Sequence, residues 1–348
     1  MQTYLHVLDS YFSVILFGPL VTAYWRGTWE IADVYLFPDN SNLSFGVSTA
    51  AGVLVYLCFN FSQDHFTSLN YKMSSPMFCI SSRLHAYILG HAMVNYWRGI
   101  MGFMDKINKT YLYMGLETIL STILLAVLKG SINAISAPLL TIPDTGPHGR
   151  KDYFQISTKL KTKSTESWSF FLDCCYSVLI ISGLVIVQWH GVWGLIDLMI
   201  VPQDQFKSAW LSLVIGYAMT MVLLIVQWPV MAFAKKARNE TFKCYSIILL
   251  LIEIFMSFCG TTASAFVWRG FWNLQDQLLL PNNLELSVWI SHGIGTICLM
   301  IMFHFNTAIQ AGLDSDGDII FSDEQTFFDI KFICNIIRYS GNMVCYST

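Results

Sequence analysis

The sequence predicts an all-α, polytopic membrane protein with eight transmembrane helices, built as four parallel two-helix repeats. Composition indicates the membrane class, because 54% of the 348 residues are hydrophobic and 15% are aromatic. Only 12% are charged, against about 25% in soluble domains, and a mean hydropathy of +0.51 excludes a disordered chain. The net charge is −3 and the bases are dispersed, so no basic stripe indicates nucleic acid as a partner.

Eight apolar stretches approach the ~20 residues that a helix needs to cross a bilayer. Several carry small residues, such as Ser48 and Gly52, which are typical of helices packed against other helices. The first stretch lacks the flanks of a signal peptide, so we expect a retained helix. The stretches are 7–24, 45–61, 77–96, 111–128, 170–188, 209–233, 247–267 and 288–305.

The distribution of Lys and Arg predicts the orientation of these helices. Thirteen of these bases follow even-numbered stretches, and six follow odd-numbered ones. Because basic residues are enriched in cytoplasmic loops, we expect both termini in the cytoplasm. The sequons at Asn42 and Asn108 then lie outside and are glycosylation candidates, whereas those at Asn60 and Asn239 fall inside.

A short motif occurs four times, at the outer end of each odd-numbered stretch. It consists of Trp, a basic residue and Gly, with an Asp eight residues after the Trp. A second Trp follows the Gly by two residues in three copies, and Met101 replaces it in the second copy. The four copies are Trp25, Arg26, Gly27 and Asp33; Trp97, Arg98, Gly99 and Asp105; Trp189, His190, Gly191 and Asp197; and Trp268, Arg269, Gly270 and Asp276.

We interpret this motif as a corner at the outer membrane interface. The first Trp is expected at headgroup depth, the Gly as a helix C-cap, and Arg26 close to Asp33 of its own copy. After Gly27, a short interfacial helix is expected from Trp29 to Leu36. Two hypotheses remain open: the corners are structural locks, or their four basic and four acidic groups surround an outer vestibule that binds an ion or a polar ligand. His190 is the basic residue that can lose its charge near neutral pH.

The motif divides the chain into units and flanking segments. The membrane domain is expected over 1–310, with repeats at about 5–62, 77–140, 169–235 and 246–308. Residues 141–168 are expected to form a mobile cytoplasmic linker, and 311–348 a cytoplasmic tail. Toward the inner ends of the odd-numbered helices lie four intramembrane charged residues, which either line a pathway or solvate the helix ends. They are Asp9, Arg83, Asp173 and Glu253.

Known catalytic patterns are missing from the sequence. It has no P-loop, no Rossmann glycine pattern, no nucleophile elbow and no zinc-like cysteine spacing. We therefore expect a protein that is not an enzyme, with no catalytic residues, no metal and no cofactor.

The eight stretches and the repeated Trp-Arg-Gly-x-Trp corners resemble the Fuseless family of eight-pass animal membrane proteins. These corners begin at Trp25, at Trp268 and, with His as the basic residue, at Trp189, and the resemblance covers about residues 1–310. It implies a presynaptic protein in the plasma membrane of neurons, which organises calcium channels and supports synaptic transmission. Its expected partners are the lipid bilayer and other membrane proteins, such as calcium channels. The alternative is a channel or transporter with a path between the four repeats.

Overall fold

The fold is described by a computed structural model for residues 9, 11–144, 153–163, 167–238, 243–309, 316, 319–320, 326–328 and 330. It is all-helical, and this part of the chain contains no strand. We number its eight long helices α1–α8. Their bounds are α1 Gly18–Tyr35, α2 Ser41–Asn70, α3 Ser75–Met104, α4 Tyr111–Val127, α5 Ser182–Met199, α6 Gln205–Arg238, α7 Lys243–Leu278 and α8 Leu284–Ile301.

Two of the helices begin with a wider, π-helical segment. Ser13–Phe17 leads directly into α1, and Tyr176–Ile181 leads into α5 from a further α-helical stretch, Ser167–Cys175. Five stretches are long and apolar enough to cross a membrane, and α4 is apolar but shorter. The five are Ser41–Asn70, Trp168–Met199, Gln205–Arg238, Ser246–Leu278 and Leu284–Ile301.

We call the end of the bundle at which α1, α3, α5 and α7 end the outer end, and the opposite end the inner end. The connections at the outer end share one local design. In three of them the chain leaves the helix through a residue with positive φ, namely Phe37, Val201 and Leu280. The next helix then starts at a polar residue whose side chain accepts a hydrogen bond from the backbone N–H three residues later, which caps the helix. These capping residues are Asn40, Thr110, Asp204 and Asn283.

The helices pack in a closed cycle. Each even-numbered helix packs most extensively on the odd-numbered helix of the next unit: α2 on α3, α4 on α5, α6 on α7, and α8 on α1. The four odd-numbered helices contact one another in the order α1, α3, α5, α7 and back to α1, so they form an inner ring. The contact between α8 and α1 joins the last helix to the first.

The motif glycines explain these tight contacts, and their predicted role as C-caps is wrong. Gly27 lies inside α1, which continues to Tyr35, so the expected short interfacial helix does not form. A Cβ on Gly27 would lie 2.3 Å from the backbone nitrogen of His292 in α8. A Cβ on Gly99 or on Gly270 would lie at a similarly short distance from atoms of α2 or α6, respectively. The glycines therefore let two helix backbones approach, as in other tightly packed membrane helices.

Two inner segments are docked against the helices. The backbone N–H of Ile156, in the segment that we expected to be a mobile linker, donates to Gln63 Oε1 at 2.8 Å. In the predicted tail, the N–H groups of Phe327 and Phe328 donate to Gln227 Oε1 at 3.1 and 3.0 Å. The described linker residues 153–163 therefore contact α2.

The glycine contacts yield a matched prediction. Gly27→Ala should lower the free energy of unfolding by about 1–3 kcal/mol, because the helices must move apart to admit the methyl group. Gly46→Ala is the control, since nothing lies within 4 Å of a Cβ at that helical position. Thermal unfolding in one detergent measures both. Equal melting temperatures for the two variants would contradict the account.

Candidate functional site

The first tryptophans of the four motifs form a closed ring on the axis of the bundle. We call Trp25, Trp97, Trp189 and Trp268 the tryptophan ring, and all four are buried. Neighbouring indoles meet edge to face, which is a favourable aromatic geometry. The centroid distances are 5.3 Å for Trp25–Trp97, 5.7 Å for Trp97–Trp189, 5.4 Å for Trp189–Trp268 and 5.2 Å for Trp25–Trp268.

This position overturns the expected headgroup depth of these tryptophans. Trp25 precedes the end of α1 at Tyr35 by ten residues, which is about 15 Å of helix. That distance is about half the hydrocarbon thickness of a bilayer. The indoles pack against one another inside the protein and do not form an interfacial belt.

Two short inner turns lie directly beneath the tryptophan ring. They are the 3-10 helices Ser131–Ala134 and Phe305–Ala308, which follow α4 and α8. The indole N–H groups of Trp25 and Trp189 donate to the carbonyls of Ala308 and Ala134 at 2.8 and 2.9 Å. Trp268 donates to Ala137, just after the first turn, at 2.8 Å. The ring and the turns border a cavity of about 30 Å³, which is large enough to hold a water molecule.

Two aspartates that sequence reasoning missed hold the inner turns. The Asp316 carboxylate accepts from the N–H groups of Ser131 and Ile132 at 3.0 and 2.9 Å. Asp144 accepts from the N–H of Asn306 in the other turn at 2.9 Å. Both carboxylates are buried, and each caps the N-terminus of its turn. The predicted tail therefore contributes to the support of the tryptophan ring.

The motif arginines form ion pairs between neighbouring units, and His190 makes the corresponding hydrogen bond; the expected pairing of Arg26 with Asp33 is wrong. Each basic residue instead contacts the Asp of the preceding unit around the cycle. We call these four pairs the charge ring. They are Arg26 Nε–Asp276 at 2.6 Å, Arg98 Nη2–Asp33 at 2.7 Å, His190 Nε2–Asp105 at 3.2 Å and Arg269 Nε–Asp197 at 2.7 Å.

Serines on the even-numbered helices accept further hydrogen bonds from the buried guanidinium groups. Arg98 donates to Ser48 and Ser44 of α2 at 2.6 and 2.7 Å. Arg269 donates to two serines of α6 in the same way, Ser212 at 2.6 Å and Ser208 at 2.9 Å. A guanidinium group buried at about mid-protein needs these bonds, because an unsatisfied charge in that position is costly.

The corner at His190 differs from the other three. Its Nδ1 lies 2.7 Å from Glu117 Oε2, while Nε2 faces Asp105, so the two ring nitrogens face two carboxylates. Asp105 also pairs with Lys109 at 2.6 Å. Burial alone would raise the pKa of Asp105, but hydrogen bonds from His190 and Lys109 outweigh it and hold that pKa below its usual range.

The intramembrane charged residues occupy different surroundings. The Asp173 carboxylate is buried and accepts from Thr158 Oγ1 at 2.6 Å and from the N–H groups of Leu160 and Thr162 at 2.9 and 3.0 Å, so it docks the inner segment. The Arg83 guanidinium stacks on the Phe303 ring at 4.5 Å. Asp9 and Glu253 are fully buried.

An outer cavity of about 370 Å³ lies beside one corner of the charge ring. Its polar walls include Asp197, Arg269 and Asp276, together with Trp193 of α5. The glycosylation candidate Asn42 is exposed near this outer end, whereas the Asn60 side chain is buried. Asn239 lies outside the described residues. Within the described chain, no group of three or more His, Cys, Asp or Glu side chains could hold a metal ion.

The charge ring predicts a coupling between units that a double-mutant cycle measures. Arg98→Gln and Asp33→Asn should each destabilise the protein, and the cycle should give a coupling energy of about 1–2 kcal/mol. The matched control is Arg26→Gln with Asp33→Asn, which removes residues of one motif copy that do not pair. Coupling in the control, without coupling between Arg98 and Asp33, would refute the pairing between units.

Comparison with known proteins identifies the family. A family model described as Fuseless matches residues 4–309, which include all eight helices and the tryptophan and charge rings. The curated proteins and the solved structures give no match. The match covers most of the chain, and the protein belongs to the Fuseless family.

Proposed function

We propose that this protein crosses the membrane eight times, as four two-helix units of like orientation, with both termini in the cytoplasm. Five helices are long and apolar enough to span a bilayer, and α4 is a shorter apolar helix. The remaining two, α1 and α3, belong to the inner ring and carry Arg26, Glu30, Asp33, Arg83 and Arg98. Because neighbouring helices shield such helices from lipid, they tolerate polar residues that a lipid-facing helix would not.

The orientation has a direct test. A cysteine introduced at exposed Asp39, in the first outer connection, should react with a membrane-impermeant maleimide on intact cells. A cysteine at exposed Lys72, at the opposite end of α2, should react only after permeabilisation, and the protein without either substitution reports background labelling. The reverse pattern would contradict a cytoplasmic location of the termini.

For the function, the best-supported proposal is a non-enzymatic protein of the presynaptic plasma membrane of neurons. It binds other membrane proteins, calcium channels among them, and thereby supports synaptic transmission. The family supplies the basis for this role. The structural observation that favours it is the tryptophan ring, whose indoles close the axis and are tied by hydrogen bonds to the inner turns. An axis that is closed by packed indoles and held by hydrogen bonds is rigid. Such rigidity suits a protein that binds other proteins, which we call a binding platform.

A channel or transporter with a path between the repeats is the second candidate. The polar outer cavity favours it, because a path through the protein would need such an entrance. Ions would then have to pass the tryptophan ring, and opening it would break three indole hydrogen bonds to the inner turns. This cost makes passage along the axis the weaker proposal.

Reconstitution separates the two candidates. Liposomes containing the purified protein should show the same Na⁺, K⁺ and Ca²⁺ flux as protein-free liposomes, and the protein should co-purify with a co-expressed voltage-gated calcium channel but not with an unrelated multi-pass protein. The flux variant is Asp173→Asn with Glu253→Gln, and Asp39→Asn in an exposed loop is its control. Flux that the double variant abolishes and the control keeps would reject the binding-platform proposal.

A further inference from the structure

The guanidinium group of Arg26 contacts two carboxyl groups on one edge. Its Nε lies 2.6 Å from Asp276 Oδ1, and its Nη2 lies 3.1 Å from Glu30 Oε2. These two nitrogens form the edge of a guanidinium group that ordinarily binds a single carboxylate. At Arg98, for example, Nε and Nη2 both donate to Oδ1 of Asp33. Two different carboxyl groups therefore meet at the edge of Arg26, and we call Glu30 and Asp276 the carboxyl pair.

The other side of the Arg26 guanidinium group has no such partner. At Arg98 and Arg269, Nη1 donates to a serine of the neighbouring even-numbered helix. The corresponding serine of α8, Ser291, lies 2.6 Å from Gln275 Oε1 instead. The buried Nη1 of Arg26 is left without a hydrogen-bond partner. Both carboxyl groups are thus held on the same side of the arginine, which brings them close to each other.

The carboxyl pair also shares a hydrogen bond. Glu30 and Asp276 are hydrogen-bonded to each other through their side chains. Such a bond needs a proton on one of the two groups, because ionised carboxylates have only acceptors. With one proton, the site contains one carboxylate and one guanidinium group and its charges balance. Without the proton, two like charges would face each other in a partly buried site, which is unfavourable.

The charged groups on the neighbouring elements do not balance the second carboxyl group. Asp33 of α1 adds electrostatic repulsion to it. In α7, every nitrogen of the Arg269 guanidinium group donates to Asp197 or to serines of α6. The titratable groups of the outer half of α8, Glu285 and His292, hydrogen-bond other residues of α1. A proton is therefore the ion that fits between the two carboxyl groups.

We propose that the carboxyl pair is a proton-binding site, in which Glu30 is protonated at neutral pH and donates its hydrogen bond to the Asp276 carboxylate. Glu30 carries the proton because its side chain is 16% exposed, against 41% for Asp276, and because Asp276 makes the shorter contact with Arg26. Asp276 lines the outer cavity, through which protons from the solvent reach the pair.

The bound proton stabilises the contact between the first unit and the last. Glu30 lies on α1 and Asp276 on α7, so the hydrogen bond joins these two units next to the ion pair of Arg26. When the proton leaves at alkaline pH, the two carboxylates repel each other across this contact. The site thereby makes the closure of the bundle sensitive to pH. This proposal does not depend on whether the protein binds calcium channels.

Infrared difference spectroscopy of the purified full-length protein in lipid nanodiscs detects this proton directly. A protonated carboxyl group has a C=O stretching band above the amide I region, and the band moves to lower frequency in D2O. At neutral pH, the wild type should show one such band that Glu30→Gln lacks. Raising the pH should convert this band into carboxylate bands. Asp39→Asn is the matched control, because it removes an exposed carboxylate and should leave the band unchanged.

Thermal unfolding gives an independent readout. A glutamine amide donates to Asp276 as a protonated carboxyl group does, so Glu30→Gln should keep the wild-type melting temperature at neutral pH. Glu30→Ala removes the donor and should lower it. The folded wild type binds a proton that the unfolded chain releases at neutral pH, so its stability should fall as the pH rises. The melting temperature of Glu30→Gln should fall less over the same range.

Three results would overturn the proposal. The first is a difference spectrum between the wild type and Glu30→Gln that contains only carboxylate bands. The second is a Glu30→Gln protein that fails to fold or melts as early as Glu30→Ala at neutral pH, since an ionised Glu30 would then be the group that the protein needs. The third is an equal loss of melting temperature with rising pH in the wild type and in Glu30→Gln.

Discussion

The structure depends on the four buried basic residues of the motifs, each of which contacts two neighbouring elements. Arg98 illustrates the constraint: its guanidinium is 1% exposed and takes its carboxylate from α1 and its hydroxyls from α2. If either neighbour moves away, a charge remains in a region of low polarity, which costs several kcal/mol. Each such residue therefore fixes three helices relative to one another. Because the pairs follow one another around the bundle, the last unit is fixed to the first.

The tryptophan ring connects the charge ring with the inner end of the protein. The indoles pack directly below the charge ring, and three of them donate to backbone carbonyls at the inner turns. The turns are in turn capped by Asp144 and Asp316. A continuous set of contacts thus connects the outer connections with segments at the inner end. The corner at His190 differs from the others, because this side chain also contacts Glu117 of α4.

The sequence predicted the helical class and the positions of the motif residues, because apolar length and an eight-residue spacing are local properties. It did not predict which Asp pairs with which base, since four equivalent candidates have the same local spacing and only packing distinguishes them. It misplaced Trp25 because an aromatic residue near a helix end resembles an interfacial anchor, whereas the buried ring needs all four units. Asp316 was missed because its neighbours are acidic. A shift of 174 residues aligns Phe154 with Phe328 and Ile156 with Ile330, which is a sequence signal for the similarity of the two docked segments but not for Asp316.

The closure of the ring between α8 and α1 is the central claim, and a disulfide cross-link tests it most directly. Thr28 Oγ1 and His292 Nδ1 are 3.0 Å apart across this contact. Thr28→Cys with His292→Cys is oxidised in membranes, in a protein with a protease site inserted between residues 145 and 152. After cleavage and denaturing electrophoresis, the two halves should stay joined without reductant and separate with it, and each single substitution should give separate halves. Separation of the double variant without reductant would contradict the closed ring.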